Sequence, residues 1–402
     1  MSKKIKQNTP VMYDYYSESS ILPTYANFKS ENDLIEYEGR RKNIFLHKLN
    51  IPITVFKDAK LLEFGPDSGE NALIFAKWGA SCTLCEPNLK AHPFIKKYFH
   101  RFNLSSKLVE LNNNSIAGDN SNLKSGEYNL IIAEGFIYTV KPFAIWMKLF
   151  SKLITKQGLV VVNYIDKNGG FFELLLKVIY NAVKKAKGMN TLKAATAIFD
   201  SKWKSIPHTR SFESWIMDVM ENPFVRLKYF VEPHALCQQM HDLGFTLYSS
   251  LPSYKNGLVV EWVKKPWKAD EAIQSQLEFI TSNQLSHFFG QQCFLIQPDK
   301  ELEKILKALL SNTDDLIDSF DVGKLKKCQE HLALIASALD SGKVIIPDGR
   351  SQQLRDNITS VKKIFQLIEQ NNIDELITFS NSDHAFISSW GNPTHYAVFI
   401  KQ

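Results

Sequence analysis

Apolar and polar positions follow two rhythms along the chain, and the change between them falls near residue 166. From residue 60 onward, short apolar runs alternate with helical patterns. KLLEF (60–64), SCTLCE (81–86), KLVEL (107–111), YNLIIAE (128–134) and QGLVVVNYI (157–165) read as strands. Between them GENALIFAKWG (69–79), NLKAHPFIKKYFHRF (88–102) and VKPFAIWMKLFSKLI (140–154) repeat apolar residues at helical spacing. Strands about 20 to 30 residues apart, with helices between them, predict right-handed βαβ units and a parallel sheet covered on both faces. The unbroken apolar character of the strands fits burial on both sides. Ahead of this series, SENDLIEYEGRRKNIFLHKL (30–49) predicts a helix with Ser30 as its N-cap.

After Tyr164 the alternation stops, and residues 166–230 carry helical and loop patterns without a clear strand. PHALCQQMHDLG, FTLYSSL and NGLVVEWVKK then restore helix, strand and strand. The Pro, Ser, Lys, Asn and Gly between the last two predict an antiparallel hairpin at the sheet edge. From Pro266 the chain is helical, as in DKELEKILKALLSNTDDLI, KLKKCQEHLALIASAL and SQQLRDNITSVKKIFQLIEQ, each with an apolar stripe opposite charged residues. HYAVFIKQ (395–402) alternates like a strand that joins a sheet edge. The expected fold is therefore α/β, a doubly wound, mostly parallel seven-stranded sheet with a late antiparallel hairpin. Residues 1–50 form an N-terminal helical or lid segment, and 51–265 the sheet domain with a cap insert at about 166–230. Residues 266–402 form a mainly helical C-terminal domain, whose stripes predict a bundle core or a homodimer surface.

Composition narrows the function classes. At 402 residues the chain exceeds one ordinary domain, and 44% hydrophobic with 12% aromatic content supplies a real core. The net charge of +6 is spread among nearly as many acids, which is no nucleic-acid footprint. The basic, then polar start MSKKIKQNTP lacks the apolar region of a secretory signal, and GGFFELLLKVIYNAV is broken by Glu173 and Lys177 and too short for a bilayer span. Five cysteines, an odd number, fit reduced thiols in a cytoplasm. Cys82 and Cys85 lie inside a predicted strand without a second pair, so core packing is expected there and no metal site.

The most informative stretch is Glu63-Phe64-Gly65-Pro66-Asp67-Ser68-Gly69. Glycines at a strand-to-helix turn allow positive φ and close backbone approach, and the next helix presents free N–H groups. Open α/β sheets bind ligands at such a crevice. A dinucleotide site would want G-x-G-x-x-G. Here the order is acid-x-Gly-x-Asp-x-Gly, and Glu63 and Asp67 repel a pyrophosphate but suit a ligand with an ammonium group. The segment resembles motif I of the class I (Rossmann-like) S-adenosylmethionine-dependent methyltransferases, whose pattern is acid-x-Gly-x-Gly-x-Gly, and the likeness spans roughly residues 55–265. Asp67 departs from the middle glycine. The resemblance implies S-adenosyl-L-methionine as cofactor, with Gly65 and Gly69 beneath its methionine and ribose portions and Asp67 in the same turn. Glu63 would reach the ligand's amino group through water, and Glu86, ending the second strand, would take the ribose hydroxyls. Asn114 of NNNSI would stand beside the adenine amine, and Glu134 where the fourth strand meets substrate and cofactor.

Methyl transfer requires alignment of nucleophile and methyl more than any one base. In SIPHTRSFESWIMDVMENPFV (205–225), within the insert that caps the pocket in this family, His208 is a candidate base and Arg210 a candidate clamp for an acidic acceptor. The expectation is a methyltransferase acting on a small-molecule or glycan-type acceptor, with oxygen as the methylated atom. Two alternatives stand beside it: a catalytically silent cofactor-binding or protein-interaction module, and an NAD(P)-dependent oxidoreductase, which Glu63 and the glycine spacing disfavour.

Overall fold

The computed structural model describes all residues except 1–11, 13–14, 17–25, 27, 208–210, 256–263, 265–267 and 348–349. The chain divides into two compact units: Met1–Tyr164 with Ala235–Leu277 and His395–Gln402, and Ile165–His234 with Glu278–Thr394.

The first unit holds the sheet. Its strands are β1 (Lys60–Phe64), β2 (Ser81–Cys85), β3 (Leu108–Asn112), β4 (Tyr128–Ala133), β5 (Ile154–Ile165), β6 (Phe245–Leu251) and β7 (Thr394–Lys401). The order across the sheet is β3-β2-β1-β4-β5-β7-β6. β1 lies between β2 and β4, parallel to both, with Phe64 level with Cys85 and Ala133. The strand order reverses at β1, which makes its carboxyl end the switch point where such sheets bind ligands. Before and between these strands run α1 (Glu31–Lys42), α2 (Glu70–Lys77), α3 (His92–Arg101) and α4 (Ala144–Leu153). α1 begins at Ser30 with a reciprocal capping box to Asp33, acids in its first turn and basic residues in its last, the arrangement that satisfies free N–H groups and the helix dipole.

Strand pleating divides the core between two faces. On one, Leu61, Ile132, Val161 and Val398 pack with Phe45, Phe56 and Phe75, and Phe56 and Phe75 stack with centroids 5.3 Å apart. On the other, Phe64 stacks on Phe150 of α4 at 5.8 Å. Each such fully buried aromatic contributes roughly 1.5 to 3 kcal/mol, so the switch point is anchored from both sides.

The expected late antiparallel pair is present. β6 pairs antiparallel with β7, Phe245 opposite Lys401 and Leu251 opposite Tyr396. The expected hairpin partner, NGLVVEWVKK, lies largely outside the described residues. β7 enters the sheet between β5 and β6 instead of joining an edge. Five consecutive buried residues, His395 to Phe399, explain this position, because an edge strand would leave part of that run wet.

The second unit is mainly helical. The insert (166–230) and the C-terminal helices share one apolar cluster, in which Phe171, Leu175, Ile198 and Phe199 pack with Leu309, Leu332, Ile364 and Phe365. The stripes at 300–316, 322–340 and 351–369 thus have a core to face. Lys202 is fully buried within this unit. Its ammonium donates to the carbonyls of Phe386 (2.6 Å) and Ser389 and sits 4.4 Å from the centroids of both Phe386 and Trp390.

Candidate active site

The turn after β1 is built by backbone geometry that glycine makes possible. Gly65 has φ +65°, and its N–H donates to the carbonyl of Cys85. A Cβ there would lie 2.7 Å from the Phe136 ring, so the missing side chain also makes room for an aromatic. Gly69, at φ +92°, is the N-cap of α2, and a Cβ on it would meet Ile95 of α3 at 2.9 Å. Here the requirement is helix packing as well as conformation. Asp67 takes φ +50°, a conformation Asp tolerates better than most residues. Its N–H donates to Glu86 Oε2 at 2.9 Å, while Asn88 N–H donates to Glu86 Oε1 at 2.7 Å. Both Glu86 oxygens retain acceptor capacity toward a ligand hydroxyl. Burial raises the Glu86 carboxyl to about 8 and the nearby Asp67 charge adds to this, against the lowering by the two N–H bonds.

Below this turn lies a set of buried acids served by one guanidinium. Glu63 is 1% exposed, and among the described residues its Oε2 has no hydrogen-bond partner. Burial pushes its carboxyl well above the usual range, and the Glu134 charge pushes the same way. Glu134, just beyond β4, receives two bonds from Arg41 of α1, at 3.0 and 2.5 Å, and a third from the Tyr396 hydroxyl of β7 at 3.0 Å. Burial opposes the Arg41 charge, yet the Glu134 and Tyr396 interactions outweigh it and hold the guanidinium firmly protonated. The Arg41 guanidinium lies 4.8 Å from the Phe45 ring centroid and 5.3 Å from that of Phe75, and among the described residues its Nε has no hydrogen-bond partner. Glu70, first residue of α2, accepts from Ala26 N–H at 2.8 Å and from Ser68 Oγ at 2.6 Å. Its carboxyl is raised to about 7, chiefly by burial.

The structure therefore gathers Glu63, Gly65, Asp67, Gly69 and Glu86 at the carboxyl ends of β1 and β2. Asn114 stands apart from that cluster of contacts: its amide donates to Asn122 Oδ1 at 2.5 Å and its N–H to Asn112 Oδ1 at 3.0 Å, in the loop after β3. Glu134, expected where the fourth strand meets substrate and cofactor and as a candidate catalytic group, is present at the end of β4, where three donors already occupy its carboxylate. His208 and Arg210 lie outside the described residues. Sequence reasoning missed Arg41, Tyr396 and Glu70. The run Arg40-Arg41-Lys42 ends a helix as many do, and only the fold shows which of the three turns inward. All five cysteines are free thiols and buried, including Cys82 and Cys85 in β2.

A ligand with an α-amino acid group fits these donors and acceptors. The unpartnered Glu63 oxygen suits an ammonium, the unpartnered Arg41 Nε a carboxylate, and Glu86 a pair of hydroxyls. A diphosphate would face Glu63, Asp67, Glu70 and Glu86, with the Arg41 charge already committed to Glu134.

Comparison with known proteins identifies a family. Residues 37–250, more than half of the chain, match the family model described as methyltransferase domain. No curated protein matches the chain. Among solved structures, an arsenic(III) S-adenosylmethionine methyltransferase from Chlamydomonas reinhardtii is 17% identical, with 29% of this chain and 41% of that one covered and a TM-score of 0.26. The PH0226 protein from Pyrococcus horikoshii is 13% identical over 38% and 66% of the two chains, with a TM-score of 0.29. The [4+2]-cyclase SpnF is 8% identical over 98% and 97%, with a TM-score of 0.39. The chain thus spans less than two thirds of the length of the first two structures it matches. With the strand order, the acid-led glycine turn and the family match in agreement, the chain belongs to the methyltransferase-domain family, as a class I enzyme fold with S-adenosylmethionine as its cofactor.

Proposed function

We propose that this protein transfers the methyl group of S-adenosylmethionine to a small-molecule acceptor, with a hydroxyl of a sugar or sugar-linked compound as first choice. The observation that supports it most is Glu63: a carboxyl 1% exposed with one oxygen unpartnered, at the carboxyl end of β1. Leaving such an oxygen dry and unbonded costs about 1 to 3 kcal/mol, which a bound ammonium would recover. In this reading Glu63 holds the amino group, Arg41 Nε the carboxylate, and Glu86 the ribose hydroxyls. Gly65 and Gly69 let the backbone pass close beneath. When bound, the cofactor supplies an electrophilic methyl on a sulfonium. The chain's part is to fix that centre, exclude water and orient the acceptor, which can contribute several kcal/mol without a dedicated base. His208 serves as the base where the acceptor is a hydroxyl of high pKa, and Arg210 clamps an acidic group on the acceptor. The free cysteines support a reducing, cytoplasmic setting, and among the described residues no helix is long and apolar enough to cross a membrane.

A second reading has one observation of its own. Glu134 is saturated by Arg41 and Tyr396, which favours a silent binding module over a site with a free carboxylate base. Incubating the chain with methyl-labelled S-adenosylmethionine and pools of nucleotide sugars and phenolic compounds separates the two. Label in an alkali-stable ether product supports O-methyl transfer. Cofactor binding without label transfer to any pool supports the silent module.

A further inference from the structure

We propose that ligand capture at the end of β1 is proton-coupled: Glu63 is neutral in the free chain and releases its proton to solvent when an α-ammonium group docks on Oε2. The inference rests on the S-adenosylmethionine reading above and adds a proton to it.

The geometry carries the argument. Glu63 is 1% exposed, and its Oε2 finds neither a donor nor water-facing surface. Among the described residues, the groups that act on it come from three neighbouring elements. α1 contributes the Arg41 guanidinium and the Tyr37 phenol, β2 and its end contribute the Cys82 thiol and Glu86, and the end of β4 contributes Glu134. Arg41 is the one cation in that set, and its NH1 and NH2 are both committed to Glu134. An ionised Glu63 would therefore be a second buried carboxylate beside an ion pair already balanced, and burial disfavours it further. The upward displacement of the Glu63 carboxyl, from burial first and Glu134 second, agrees.

An arriving ammonium reverses this balance. It brings one positive charge and up to three N–H donors to an oxygen with none, which favours the carboxylate. The exchange balances in atoms and charge: the Glu63 carboxyl O–H bond breaks, its proton passes to solvent, and an ammonium–carboxylate pair forms. No oxidant, reductant or further reactant is needed.

The test is calorimetric titration of the full chain with S-adenosylhomocysteine at pH 6.5, where the free ligand's amine is protonated. It is repeated in phosphate, MES and imidazole buffers, whose heats of ionisation differ. The expected result is a binding heat that varies linearly with buffer ionisation heat, with a slope of about one proton released per ligand. Glu63→Gln should bind about tenfold more weakly and lose the slope, as expected for loss of one charged hydrogen-bond partner. Glu86→Gln should bind more weakly yet keep it. Binding with no dependence on buffer overturns proton coupling and leaves the cofactor reading intact. A slope that survives Glu63→Gln and vanishes in Glu86→Gln assigns the proton to the wrong carboxyl and overturns the proposal equally. Absence of any binding by the unmodified chain overturns both the coupling and the reading beneath it.

Discussion

At the scale of single residues, the site is a set of positions where ordinary side chains are costly. Gly69 is the clearest. Its φ of +92°, and an Ile95 Cγ1 only 2.9 Å from where an alanine Cβ would sit, give Gly69→Ala two penalties. We expect it to destabilise the chain by about 2 to 4 kcal/mol, the sum of left-handed strain and a core overlap, measured by urea unfolding. Glu86 is held by two backbone N–H groups, so its geometry is set before any ligand arrives. Glu86→Ala should weaken S-adenosylhomocysteine binding by about 1 to 3 kcal/mol, and unchanged affinity removes it from the ribose role. His208→Ala should lower turnover and leave cofactor affinity intact, a split between kcat and ligand binding that a capping histidine would not give. Glycines and acids at strand ends were legible in the sequence because each is a local signal. Arg41 and Tyr396 were not, since their role comes from meeting Glu134 across 93 and 262 residues of chain.

At the scale of elements, α1 is tied to the sheet by one ion pair that is mostly out of water. The Arg41 and Glu134 side chains are 7% and 10% exposed. Breaking such a pair from one side leaves an uncompensated charge, so Arg41→Ala should cost about 3 to 5 kcal/mol. Arg41→Met combined with Glu134→Leu should recover most of that loss, and equal losses in single and double variants would show that the pair does not carry the coupling. Lys202 poses the same question inside the helical unit. Its Nζ serves the carbonyls at the end of the short helix His384–Ser388. Lys202→Met keeps the stem and removes the donors, and should lower the helical unit's Tm while the cofactor affinity of the sheet unit stays the same. The helices and parallel strands were readable from periodicity alone. The partner of β6 was not, because alternation identifies a strand and says nothing about which strand lies beside it.

At the scale of the whole molecule, the chain leaves the sheet after β5, returns for β6, departs again and closes with β7 between them. Residues 394–402 are therefore structural: ending the chain at residue 393 removes the strand joining β5 to β6, and we expect an insoluble or protease-sensitive product, whereas removing only Gln402 should have little effect. The buried acids also set a pH dependence. Glu70 and Glu86 are raised to about 7 and about 8 from an ordinary value of 4.5, so the folded chain binds more protons than the unfolded one across that window. Their contribution to stability is full below about pH 4.5 and is lost as pH rises toward 8. Thermal unfolding of the ligand-free protein at pH 5, 6, 7 and 8 should show a smaller fall in Glu86→Gln than in the unmodified chain.

Across the three scales, the acids at the carboxyl end of β1 are the groups proposed to receive a ligand's positive charge. A crystal structure of the full chain with S-adenosylhomocysteine tests this most directly. The account predicts the ligand's amino nitrogen within hydrogen-bonding distance of Glu63 Oε2 and its ribose hydroxyls on Glu86. A ligand bound elsewhere, with Glu63 still unpartnered, or a nicotinamide dinucleotide taking the same crevice in a parallel soak, would contradict it.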